Sequence, residues 1–133
     1  MDVENFYVVA QNLYRENKEK NEAINRTVVG RTYYAVYLAT RDWMDQSFTT
    51  ELAETQGNSH EKYTKCLFSL QRKHKDLTLS RFSSDLKKLK DERHFADYDL
   101  DPEDIQTHIN TQATLLLGQK LLRDLDALKA KYP

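Results

Sequence analysis

Two short stretches of this 133-residue chain hold side chains whose types and spacing can do chemistry. The first, Arg31-Thr32-Tyr33-Tyr34-Ala35-Val36-Tyr37, packs an arginine and three tyrosines into two helical turns. Arg31 and Tyr34 are three residues apart and so share a helix face. The second, Leu89-Lys90-Asp91-Glu92-Arg93-His94-Phe95-Ala96-Asp97-Tyr98-Asp99, crowds an arginine, a histidine, an aspartate and a tyrosine at the end of a helix. Helix capping explains the aspartates but not the crowding of the arginine, histidine and tyrosine beside them. A purely structural alternative also fits. In it the tyrosines fill a core with their hydroxyls at its edge, Arg93 pairs with Asp97 or Asp99, His94 lies exposed at a helix end and Tyr98 plugs the bundle. His74 and His108 have no comparable neighbours and read as surface residues.

Charge is distributed unevenly around these stretches. Residues 1–59 and 94–133 each carry a net charge of −3, whereas residues 60–93 carry +5, within an overall charge of −1. A basic middle can present a positive face to a phosphate backbone, or it can lie beside the acidic ends and cancel. The acidic run Asp97, Asp99, Asp101, Glu103, Asp104 lacks the glycine and terminal glutamate of a calcium loop, so helix capping explains it better than a metal site. A single cysteine, Cys66, excludes an internal disulfide and a paired-cysteine zinc site, and it reads as a packed thiol. No cofactor and no metal are expected.

The elements that must position these groups are helices. Three glycines and two prolines are too few turn-formers for an all-β fold. With 31% charged residues and a mean hydropathy of −0.80 the chain is too polar for a membrane protein, while eight tyrosines, five phenylalanines and a tryptophan are too many for a disordered one. The size suits one domain over residues 1–133. The N-terminus lacks the layout of a signal peptide, so the expected location is the cytoplasm, and the Asn25-Arg26-Thr27 sequon carries no meaning there.

Apolar residues at steps of three and four predict a first helix through Val3, Phe6, Tyr7, Ala10, Leu13 and Tyr14, capped by Asp2. A second runs from about Asn21 to Trp43 or Phe48, followed by a polar loop over Thr49 to Asn58. Asn58 or Ser59 caps a third, a fourth spans about Leu77 to Phe95, and Asp101-Pro102 opens a long final helix. Gly118 in that helix predicts a close helix contact, within the chain or across a dimer seam. Leu13, Tyr34, Leu38, Phe82, Leu86, Leu116, Leu117 and Leu121 are expected in the core. The fold class is all-α, an up-and-down bundle of four to five helices.

Three of these segments, taken in order, carry a resemblance. Arg31 to Ala35, His60 in Asn58-Ser59-His60, and Arg93-His94-Phe95-Ala96-Asp97-Tyr98 resemble the HEPN superfamily, small all-helical domains of prokaryotic toxin, defence and RNA-processing systems. The likeness is greatest to a small stand-alone branch with Arg-x-Tyr-Tyr-Ala and Arg-x-x-Ala-Asp-Tyr segments, and covers residues from about 20 to about 130. The resemblance implies a bundle that dimerises with its arginine motifs facing one cleft. In active HEPN ribonucleases an arginine is followed, after four to six residues, by a histidine, and the pair cleaves RNA without metal. No arginine in this chain has a histidine at that spacing, and Arg93 plus five falls on Tyr98. Tyrosine, with an ordinary pKa near ~10, is a poor proton acceptor at neutral pH.

Two functions follow as expectations. One is a HEPN-type component of a toxin–antitoxin or antiviral system, a homodimer that acts on or binds RNA, with Arg31, Tyr34, Lys90 and Arg93 as nucleic-acid contacts and His94, Tyr98 or His60 assisting Arg93. The other is a non-catalytic dimeric interaction module that binds a nucleotide or a partner protein, such as an antitoxin or a nucleotidyltransferase.

Overall fold

Alternation of polar and apolar residues at helical period is realised as helices in the described residues. The computed structural model describes residues 3–98 and 108–133, and within them every regular element is an α-helix. These are α1 (Glu4–Glu16), α2 (Glu22–Ser47), α3 (Thr49–Glu54), α4 (Ser59–His74), α5 (Leu77–Tyr98) and α6 (His108–Lys131). The expected all-α class is therefore observed, with six helices among the described residues where four to five were expected. The Asp101-Pro102 start of the last helix and the acidic positions Asp99, Asp101, Glu103 and Asp104 lie outside the described residues, as does Asp2.

The additional helix is α3, in the segment expected to be a loop. Phe48 ends α2 and, four residues on, Leu52 closes a backbone hydrogen bond to it at 2.9 Å. Both side chains are 6% exposed. Two anchors a turn apart are enough to hold six residues helical, yet six residues are too few to display a period in the sequence.

The N-terminal caps of α2 and α4 are side-chain chemistry. Asn21 Oδ1 accepts from the Ile24 amide at 3.1 Å at the start of α2, and Asn58 Oδ1 accepts from Glu61 at 3.0 Å at the start of α4. The turn between α1 and α2 is fastened by Asn17, which donates from Nδ2 to the Asn21 carbonyl and to Asn25 Oδ1, at 3.0 and 2.9 Å. Between α4 and α5 the chain reverses through Lys75 in the left-handed region (φ 48°), and Asp76 Oδ1 accepts from the Thr78 amide at 2.8 Å.

Helix α2 is the hub: it packs against α1, α3, α5 and α6. Its buried positions, among them Val28, Val29, Thr32, Tyr33, Ala35, Val36, Ala39, Trp43 and Met44, go most of the way round its axis. The main core joins α2 to Leu67 and Leu70 of α4, Leu79, Phe82 and Leu89 of α5, and Leu121, Leu125 and Leu128 of α6. Cys66 is fully buried there, and burial pushes its thiol pKa up. Gly118 lets α6 approach α2 within the chain: a Cβ on it would overlap Thr32 Cγ2 and come within 3.4 Å of Tyr7 Cε2.

The expected core is corrected at two positions. Phe82 and Leu121 are fully buried, and Leu13, Leu38, Leu86 and Leu117 are partly buried. Leu116 is 58% exposed and Tyr34 44% exposed. In the run Leu115-Leu116-Leu117 it is Leu115 that enters the core, because successive helical residues turn by about 100° and one of three must face away. On α2, neighbours occupy the other sides and leave Thr27, Arg31 and Tyr34 as an outward stripe. Among the described residues no helix is long and apolar enough to cross a membrane.

Candidate nucleic-acid interface

The outward stripe of α2 forms one wall of a groove of about 610 Å³. Thr27, Gly30, Arg31, Tyr34 and Leu38 line it from α2, Arg93, Ala96 and Asp97 line it from the last turns of α5, and Phe6 closes it from α1. Spacings of three and four on both helices put these residues on facing surfaces. At Gly30 on the floor a Cβ would be in ordinary van der Waals contact with Asp97 Oδ1, at 3.9 Å.

Arg26 holds the two walls together. Its Nη1 donates to the carbonyls of Ala96 at 2.9 Å and Phe95 at 3.3 Å, and its Nε donates to Glu22 Oε1 at 2.9 Å. The guanidinium thus neutralises unsatisfied carbonyls at the negative end of the α5 dipole. Its Nη2 is shielded from solvent without a hydrogen-bond partner, in a side chain that also lines the groove.

Arg93 is held from two sides. Its guanidinium carbon lies 5.4 Å from the centre of the Tyr33 ring, and Nε lies 2.8 Å from Asp97 Oδ2, one turn along α5. The latter contact is an ion pair without an aligned hydrogen bond, because the Nε hydrogen is not directed at the carboxylate. Burial raises the Tyr33 phenol pKa and the Arg93 charge partly offsets that rise.

The residues singled out in the sequence separate into four places. Arg31, Tyr34 and Arg93 meet in this groove. Lys90 lines a second groove on the other side of Tyr33. His94 and Tyr98 lie on neither groove: both are exposed, and their rings pack on each other with centroids 4.8 Å apart, so Tyr98 does not plug the bundle. His60 belongs to the first turn of α4, no part of which lines the groove, and its side chain is outside the described residues. Arg26 went unassigned in the sequence, although its four-residue step to Gly30, then Tyr34, marks it as part of the same helix face.

With Arg26 paired to Glu22 and Arg93 to Asp97, Arg31 leaves the described lining of the groove with a net positive charge. Its hydroxyls are those of Thr27 and Tyr34, and among the described side chains no imidazole lines it. The arrangement suits an anion and offers an exposed ring for stacking. Among the described residues the one carboxylate on its lining, Asp97, is held in an ion pair with Arg93. Among the described residues no cluster of histidine, cysteine and carboxylate side chains could hold a metal ion. No protein-family model, curated protein or solved structure matches the chain.

Proposed function

We propose that this chain is a HEPN-like helical protein of a toxin–antitoxin or antiviral system, acting in the cytoplasm as a homodimer that binds RNA through the Arg31–Arg93 groove. The observation that supports this reading is the meeting of the exposed Arg31 and the Asp97-paired Arg93 with the half-exposed Tyr34 ring in one groove, beside Arg26, which is paired with Glu22. Guanidinium groups grip phosphates, and an exposed tyrosine stacks a base without selecting its sequence. The groove binds RNA and does not cut it, since Arg93 has Asp97 and Tyr33 as neighbours and His94 turns away to Tyr98. Purified protein incubated with single-stranded RNA in a chelator is expected to retain the RNA intact, and Arg31→Ala is expected to release it. Failure of the parent protein to retain RNA, or cleavage of the RNA by it, overturns the reading.

A second reading, the dimeric module for a partner protein such as an antitoxin or a nucleotidyltransferase, is favoured by ring area left in solvent. Phe95 is 52% and Tyr98 66% exposed at the end of α5, next to the groove wall that Ala96 and Asp97 form. Exposed aromatic residues beside arginines are a common composition for protein interfaces. Under this reading Phe95→Ser and Tyr98→Ser abolish the complex with the partner while leaving RNA retention unchanged.

A further inference from the structure

Among the described residues two buried side-chain nitrogens lack a hydrogen-bond partner, Arg26 Nη2 and Arg93 Nε, and both side chains line the α2–α5 groove. A donor shielded from water and left unpaired costs the fold stability, and buried donors are nearly always satisfied. Here two unused donors belong to one groove.

Both arginines also act on one turn, the last of α5. Arg26 Nη1 donates to the carbonyls of Phe95 and Ala96, at 3.3 and 2.9 Å, and Arg93 Nε lies 2.8 Å from Asp97 Oδ2. Phe95 and Tyr98 stand on the same turn with both side chains exposed, and the Tyr98 ring packs on His94. The tie from α2 to this turn is single. Arg26 is braced on α2 by Glu22 and reaches α5 through Nη1, whereas the Arg93 guanidinium meets α2 at the Tyr33 ring and donates no hydrogen bond to a described residue.

An oxyanion reaches the shielded nitrogens only when a guanidinium turns. Arg93 is the freer to do so, because its side chain is partly exposed and its contact with Asp97 is an ion pair without an aligned hydrogen bond. A phosphate in an RNA chain keeps two unesterified oxygens, enough to accept from Arg26 on one side and from Arg93 on the other. With that bridge α5 is tied to α2 through two arginines in place of one.

We infer that a phosphate bound between Arg26 and Arg93 fastens the last turn of α5 to α2, so that occupancy of the groove is transmitted to the exposed Phe95 and Tyr98 side chains. The inference rests on the reading of the groove as an RNA site and adds a regulation to it. Protein loaded with RNA presents a fixed aromatic end of α5 and the free protein a looser one. By linkage, a partner that holds this turn tightens RNA in return.

The test is amide hydrogen exchange of the full chain, read by NMR with and without a saturating single-stranded RNA. Exchange at Phe95, Ala96, Asp97 and Tyr98 is expected to slow at least about tenfold on binding, beyond any change in α4, no part of which lines the groove. Arg26→Lys, with one nitrogen where the guanidinium has three, is expected to lose most of that slowing at saturating RNA. Should Arg26→Lys not fold, Arg93→Lys carries the same expectation. RNA that binds while exchange in the last turn of α5 stays unchanged overturns the coupling and leaves the RNA reading standing. Slowing equal in all helices is ordinary stabilisation by a ligand, and slowing retained in full by the lysine variant bypasses the bridge, so either result also overturns the inference. Failure of the RNA to bind removes both the inference and the reading beneath it.

Discussion

Asp97 lies one helical turn beyond Arg93, and its Oδ2 sits 2.8 Å from the Arg93 Nε at the wall of the arginine groove. The carboxylate is therefore both the partner of Arg93 and the competitor of any anion that enters. Arg93 is 24% exposed and Asp97 36%, so the pair is reachable by a ligand and screened by water.

Replacing the competitor should help the ligand. Asp97→Asn keeps the shape of the side chain and removes its charge, and is expected to tighten RNA binding about fivefold, equivalent to ~1 kcal/mol for a partly exposed pair. Fluorescence anisotropy with a labelled single-stranded RNA reads the change. Weaker binding by Asp97→Asn would show that the carboxylate orients Arg93 for the phosphate.

Arg26 makes a prediction about stability. It joins α2 to α5 through the Ala96 and Phe95 carbonyls, and its side chain is 12% exposed. Arg26→Ala removes these charge-assisted hydrogen bonds and leaves the last carbonyls of α5 without a donor, at a cost of about 2 kcal/mol. Urea denaturation should show that loss with an unchanged slope. A midpoint equal to that of the parent protein would mean that α5 ends without help from α2.

The cap of α4 was legible in the sequence because it is local: Asn58 stands next to the first residue of the helix it serves, as does Asn21, which marked only the approximate start of α2. The Arg93–Asp97 pair and the His94–Tyr98 contact are also local, four residues apart on one helix. What periodicity could not reveal is which side of α2 would be left uncovered. That depends on four other helices, and so Tyr34 was assigned to the core when it faces solvent. Arg26 and Ala96 are 70 residues apart, and no spacing rule connects them. The aromatic and basic residues of the second groove come from three helices and were visible in the sequence only as unrelated side chains.

Acid should loosen the C-terminus. Hydrogen bonds from Lys131 Nζ at 2.6 Å and from the Tyr132 hydroxyl at 2.7 Å hold the Asp76 carboxyl well below the usual carboxylate range, with the side chain 5% exposed. A carboxyl with a lowered folded pKa stabilises the protein above its unfolded value of ~3.9, and that stability is lost as pH falls toward the folded value. The melting temperature is expected to fall below about pH 4, and Asp76→Asn, which starts less stable at pH 7, is expected to fall less steeply there. Parallel melting curves for the two proteins would dissociate Asp76 from the acid response.

Close packing at Gly118 gives a paired test. Gly118→Ala gains helix propensity yet drives a methyl into Thr32 Cγ2, so a net loss of about 1–3 kcal/mol is expected. Thr32→Ser deletes that methyl and keeps the hydroxyl, which donates to the Val28 carbonyl at 2.8 Å. The double variant should therefore recover most of the stability lost by Gly118→Ala. Additive losses in thermal denaturation would place the strain elsewhere.

The central claim is that the groove between α2 and α5 grips phosphates, and its most direct test is the salt dependence of RNA binding. Anisotropy titrations over a range of salt concentrations give the number of phosphates engaged, at a slope of about −0.7 per contact for single strands. Arg31→Ala and Arg93→Ala are each expected to weaken binding and to reduce the slope by about 0.7. Slopes and affinities identical to those of the parent protein in both variants would contradict the account.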